Sequence, residues 1–94
     1  MDVDERNNYT DVEMSIYRTS QNSFVCCLKN PGMDILKIDI FDLNGNFVMQ
    51  VFNDTPYVNP LEVKIDTRNL SSGVYFIRAY SEDYSIVKKF VLRD

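Results

Sequence analysis

The chain has 94 residues, enough for one domain of modest size, with 14 acidic and 10 basic side chains and a net charge of −4. No basic cluster exceeds Lys88-Lys89, so the chain lacks the positive surface that displaces counterions from phosphates, and no nucleic-acid partner is expected. No apolar run approaches the roughly 18–20 residues that cross a bilayer, so no transmembrane segment is expected either.

The start, Met1-Asp2-Val3-Asp4-Glu5-Arg6, is acidic and polar where a secretory leader is basic and then apolar. Either the protein stays inside the cell or the sequence begins downstream of its leader. Residues 1–11 read as a flexible N-terminal segment, and residues 12–94 as one folded domain. Within that domain the apolar residues recur with a period near two, the signature of strands.

Val12 to Arg18 alternates, with Val12, Met14 and Ile16 on one face. Ser23 to Lys29 is a second strand and contains the neighbours Cys26 and Cys27. Adjacent side chains on a strand point to opposite faces, so these two cannot bond to each other without severe distortion. They are expected to be one small buried hydrophobe and one thiol on the other face. Pro31-Gly32 then suits a type II turn, because proline presets φ at the first corner and glycine accepts positive φ at the second.

Asp34 to Asp42 is the clearest strand, with Leu36, Ile38 and Ile40 on one face and Lys37 and Asp39 on the other. Asp42-Leu43-Asn44-Gly45 reads as a hairpin loop, with Asn-Gly supplying the left-handed residues of a tight turn. Asn46 to Asn53 returns antiparallel. Asp54 to Pro60 contains two prolines, which lack the N–H of a central strand, and is expected to cross between sheets. Leu61 to Asp66 puts Leu61, Val63 and Ile65 inward. After a turn at 69–73, Val74 to Ser81 and Ser85 to Leu92 form a closing hairpin around Glu82-Asp83-Tyr84. Seven short strands at this spacing are the pattern of a sandwich or a barrel, and the expectation taken is an all-β, immunoglobulin-like, seven-stranded antiparallel β-sandwich.

The chemistry-bearing residues do not assemble into a catalytic pattern. There is no histidine, which leaves too few metal ligands and no partner for a nucleophilic serine or cysteine. Asp42–Gly45 lacks the alternating ligands and flanking helices of a calcium loop. Asp39, Asp54, Glu62, Asp66, Glu82 and Asp83 alternate with apolar residues or sit in turns, as on solvated strand faces. Tyr57, Tyr80 and Tyr84 offer a stacking platform for a sugar or peptide, although tyrosine is also a favoured strand residue. Lys88-Lys89 most simply keeps a terminal strand from pairing edge to edge. The expectation is a non-enzyme without cofactor or metal.

Three segments carry a family resemblance. Ile38-Asp39-Ile40-Phe41-Asp42-Leu43-Asn44-Gly45-Asn46-Phe47-Val48 resembles the v-x-I-y-D-x-x-G-k-x-V hairpin of type IX secretion C-terminal sorting domains. Leu70-Ser71-Ser72-Gly73-Val74-Tyr75-Phe76-Ile77-Arg78 is similar to their L-x-x-G-x-Y-x-x-r segment, and Lys88-Lys89-Phe90-Val91-Leu92 to their k-K-x-x-v tail. Order and spacing agree over residues 34–94. The chain departs from the pattern in having Asn7-Asn8-Tyr9-Thr10-Asp11 where members commonly carry Y-P-N-P, and in the pair Cys26-Cys27.

The resemblance implies a seven-stranded sandwich at the end of a cargo protein in Bacteroidetes. It implies transit through the periplasm to the cell surface or extracellular space, with the outer-membrane secretion machinery and its sortase-like peptidase as partners. Recognition would then rest on Asp42, Gly45, Gly73, Tyr75, Lys88, Lys89, Phe90 and Val91. A second group with the same hairpin and G-x-Y strand implies the alternative: a stand-alone secreted or periplasmic binding or adhesion module. Both glycines also have a purely structural reading as turn residues at positive φ.

Overall fold

The computed structural model describes residues 11–93, so most of the expected N-terminal segment, residues 1–10, lies outside the described residues. Seven strands follow in order: β1 (Glu13–Ser20), β2 (Ser23–Lys29), β3 (Leu36–Asp42), β4 (Phe47–Asp54), β5 (Leu61–Asp66), β6 (Gly73–Tyr80) and β7 (Ser85–Leu92). They form a three-stranded sheet ordered β1-β2-β5 and a four-stranded sheet ordered β4-β3-β6-β7, with every pairing antiparallel. The anticipated sandwich is therefore the observed one. The links 30–35 and 55–60 both change sheets, the second through the proline-bearing stretch.

The core is built from the inward residues of alternating strands. Leu36, Ile38 and Ile40 of β3, Leu61 and Ile65 of β5, and Ile77 and Ala79 of β6 are fully buried, with Cys26 and Leu28 of β2. Phe90 of β7 closes one end of this layer, its ring 5.4 Å from that of Phe24 and 5.7 Å from that of Tyr75, centroid to centroid. Cys26 is enclosed among these residues and burial pushes its thiol up to about 12, while Cys27 is half-buried on the other face. The two cysteines divide as strand geometry requires.

Two local features differ from the sequence reading. The β3–β4 hairpin loop is where expected, but Asn44 does not join Gly45 in the left-handed region. The Gly45 N–H donates to the Asp42 carbonyl at 3.0 Å, the Asp42 N–H donates to the Asn46 carbonyl at 2.9 Å, and of Asn44 and Gly45 only Gly45 has positive φ, +86°. This is the three-residue hairpin in which a left-handed glycine follows a tight turn. Strand β4 also breaks its alternation twice: Phe41 faces Phe47 but Ile40 faces Met49, and Asp39 faces Gln50 but Ile38 faces Phe52. The extra residues, Val48 and Val51, are thereby turned to pack against the core. Gly32 carries the positive φ expected after Pro31, +87°, and Asn30 joins it in the left-handed region at +59°.

Candidate recognition surface

The hairpin at one end of the four-stranded sheet is organised by Asp42. Its carboxylate accepts hydrogen bonds from the Asn44 and Asn46 backbone N–H groups, each at 2.9 Å. These bonds, that from Asn46 foremost, hold the Asp42 carboxyl below its ordinary value of 3.8. A depressed carboxyl contributes stability that is complete above the ordinary value and is lost as pH falls through the folded one. Asp42→Ala is accordingly expected to be less stable than the native chain above about pH 4. That difference should shrink as the medium is acidified towards pH 2; urea melts at both ends of this range check it.

Strand pairing brings the three sequence segments together. Asp42 is opposite Tyr75, Tyr75 is opposite Phe90, and Gly73 is opposite Leu92. Tyr75 turns its ring inward and its hydroxyl donates to the Ser71 carbonyl at 2.8 Å, the tie that fixes the corner before the corresponding strand in many immunoglobulin-like sandwiches. Gly73 enters β6 at φ +157°, which a side chain rarely adopts. Among the eight residues singled out from the sequence, Tyr75 and Phe90 are buried in the core. Gly45, Lys88, Lys89 and Val91 are exposed, and Asp42 and Gly73 are intermediate.

One step along the same strands, the side chains point outward, and the pairing aligns Phe47, Phe41, Phe76 and Lys89 across all four strands. Phe41 and Phe47 meet edge to face with centroids 6.1 Å apart, and Phe47 is 60% exposed. Val91 and Val87 of β7 extend this apolar outer surface, at 41% and 55% exposure. Alternation places Phe41 and Phe76 opposite the core residues Ile40 and Ile77, so aromatic residues on a nominally polar face were the available signal. Their alignment into one row depends on pairings between strands distant in sequence.

Beside this row lies a polar cluster around Asp39, an acid that the sequence places on a solvated strand face. Asp39 is buried, accepting from the Gln50 amide at 2.8 Å and the Tyr80 hydroxyl at 3.1 Å. The Arg78 guanidinium lies over the Tyr80 ring at 4.3 Å and donates to the Ser85 hydroxyl at 3.2 Å. Burial, then the bond to Asp39, raise the Tyr80 hydroxyl above its ordinary value. The other tyrosines do not join it in a platform. Tyr84 is half-buried with its hydroxyl donating to the Pro31 carbonyl at 2.7 Å, and exposed Tyr57 lies in the link between β4 and β5. No group of three or more metal-ligating side chains comes together among the described residues.

A family model described as a secretion system C-terminal sorting domain matches residues 20–93. Among solved structures, the chain is similar to a DUF3244 family protein with an immunoglobulin-like β-sandwich fold from Bacteroides vulgatus. The two are 23% identical with a TM-score of 0.64, over 85% of this chain and 83% of that one, a likeness that concerns the fold alone. No curated protein matches the chain.

Proposed function

The chain belongs to the secretion system C-terminal sorting domain family, and from that premise we propose how it serves as a sorting domain of type IX secretion. Both the family and the fold are of non-catalytic types. The domain acts as a ligand: it is passed from the periplasm to the outer-membrane machinery and is the substrate, not the agent, of a sortase-like peptidase. The hairpin at Asp42–Gly45, the start of β6 at Gly73 and the lysine-bearing β7 present the recognised surface, with Tyr75 and Phe90 holding it in shape from beneath. The observation that carries this reading is the pairing of Asp42 with Tyr75 and of Tyr75 with Phe90, which gathers three separated sequence segments at one end of one sheet.

That end lies away from the point where the chain enters β1. Strand polarity puts Glu13 beside Lys29, near the 30–35 link, while the β3–β4 hairpin and the end of β7 occupy the other end. A preceding cargo would therefore leave the recognised end free. The test fuses residues 1–94 to a periplasmic reporter in a type IX-competent host. The reporter is expected outside the cell, and the reading fails if it stays in the periplasm. Deleting Lys88–Asp94 is a poor control, because it strips Phe90 and Leu92 from the core. The exposed change Lys88→Glu with Lys89→Glu reverses the charges and leaves the core whole.

A further inference from the structure

Among the described residues the sandwich has four sheet edges, and three are protected. Strand β4 is interrupted by two irregularities, β1 by one between Arg18 and Ser20, and β5 has only 6 residues and begins directly after Pro60. Strand β7 is different. Its 8 residues pair with β6 in unbroken register, from Tyr80 opposite Ser85 to Gly73 opposite Leu92. Among the described residues no strand pairs with its other side.

The direction of its free groups follows from the loop that precedes it. The Ser81 N–H donates to the Tyr84 carbonyl at 3.0 Å, which makes that opposed pair a hydrogen-bonded one. Bonded and non-bonded pairs alternate along an antiparallel ladder. Ser85, Val87, Lys89 and Val91 therefore sit in non-bonded pairs with β6 and direct their N–H and C=O groups to the open edge. The same four residues face the outer surface that holds Phe76 and Phe41.

The charges on this edge are selective. Lys88 lies opposite buried Ile77, on the side that faces the core, yet is exposed at the rim, and Lys89 is exposed on the outer face. If two copies joined their β7 strands antiparallel, edge-directed residues could oppose only edge-directed ones, so the two most fully overlapped registers would set Lys88 opposite Lys88 or Lys89 opposite Lys89. Like charges directly opposed destabilise such a pair, and opposite charges support it. The edge is closed to its own kind and open to an acidic strand.

We propose that the free edge of β7 docks an extended acidic segment of a partner protein as an added strand. The main chain of Ser85, Val87, Lys89 and Val91 supplies the hydrogen bonds, Lys88 and Lys89 meet carboxylates, and Val87 and Val91 pack against apolar neighbours. On the sorting reading, that partner belongs to the secretion machinery.

The probe is the same domain carrying Lys88→Glu and Lys89→Glu, whose β7 is an acidic strand of matched length. In sedimentation at several hundred micromolar, the native chain and the double variant are each expected to be monomeric alone and to form a one-to-one heterodimer when mixed. Val87→Pro, which removes an edge donor without removing a β6–β7 bond, is expected to lower heterodimer affinity at least tenfold at unchanged fold by circular dichroism. Val91→Pro serves in its place if that variant does not fold. A mixture that stays monomeric, or a heterodimer indifferent to proline, overturns the edge as the docking site. A reporter retained in the periplasm by the native domain counts instead against the sorting reading. A native domain that sorts while a folded proline variant sorts equally well removes the secretion machinery as the edge's partner.

Discussion

Ile40→Ala is expected to cost about 2–5 kcal/mol of folding stability, the range for deleting a large aliphatic side chain from a packed core. Ile40 is fully buried in the centre of the four-stranded sheet, between Met49 of β4 and Ile77 of β6. Domains gain roughly 0.05–0.15 kcal/mol per residue, or about 5–14 kcal/mol for a chain of this length, so the change removes a large share of the margin. Both neighbouring strands are held in fixed register, and the sheet has little freedom to collapse into the space. Urea denaturation should show a lower midpoint with an unchanged slope. A loss below 1 kcal/mol would mean that the core relaxes around the missing side chain. The outward neighbour Phe41 provides the contrast. Truncating it removes half-exposed ring surface and is expected to cost less.

The difference between Ile40 and Phe41 also separates what the sequence discloses from what it withholds. Inward positions of β3 and β5 follow a strict alternation, so Leu36, Ile38, Ile40, Leu61, Val63 and Ile65 were legible as core. In β4 the apolar residues Val48 and Val51 are three apart, because each is an extra residue at a break in register, and a period of two cannot represent them. Asp39 was read as solvated for a related reason. Its position opposite the core face is correct, but its burial comes from Gln50 on β4 and Tyr80 on β6, residues joined to it only by pairing. The same holds for the row Phe47, Phe41, Phe76 and Lys89. Local pattern fixes the face on which a side chain lies, and long-range register decides what lies beside it.

Tyr75 is where scaffold and recognition must be told apart, and two substitutions do so. Tyr75→Ala is expected to cost about 3–5 kcal/mol, since it removes a buried ring stacked 26° from the plane of Phe90 and leaves a cavity beneath Gly73 and β7. Tyr75→Phe keeps the ring and loses only the bond to the Ser71 carbonyl, worth about 1 kcal/mol. If Tyr75 acts as a buried support, sorting should follow stability: nearly native for Tyr75→Phe and lost for Tyr75→Ala, with the latter's loss tracking its unfolded fraction. Lys88→Glu with Lys89→Glu should show the reverse pattern, because neither lysine is in the core. Melting would hardly move while the secreted share of a fused reporter falls. A Tyr75→Phe variant that melts normally yet fails to sort would assign the hydroxyl itself to recognition. The motif then divides by direction along each strand: Tyr75 and Phe90 face inward and set the shape, while Lys89 and Val91 face outward and are available to be read.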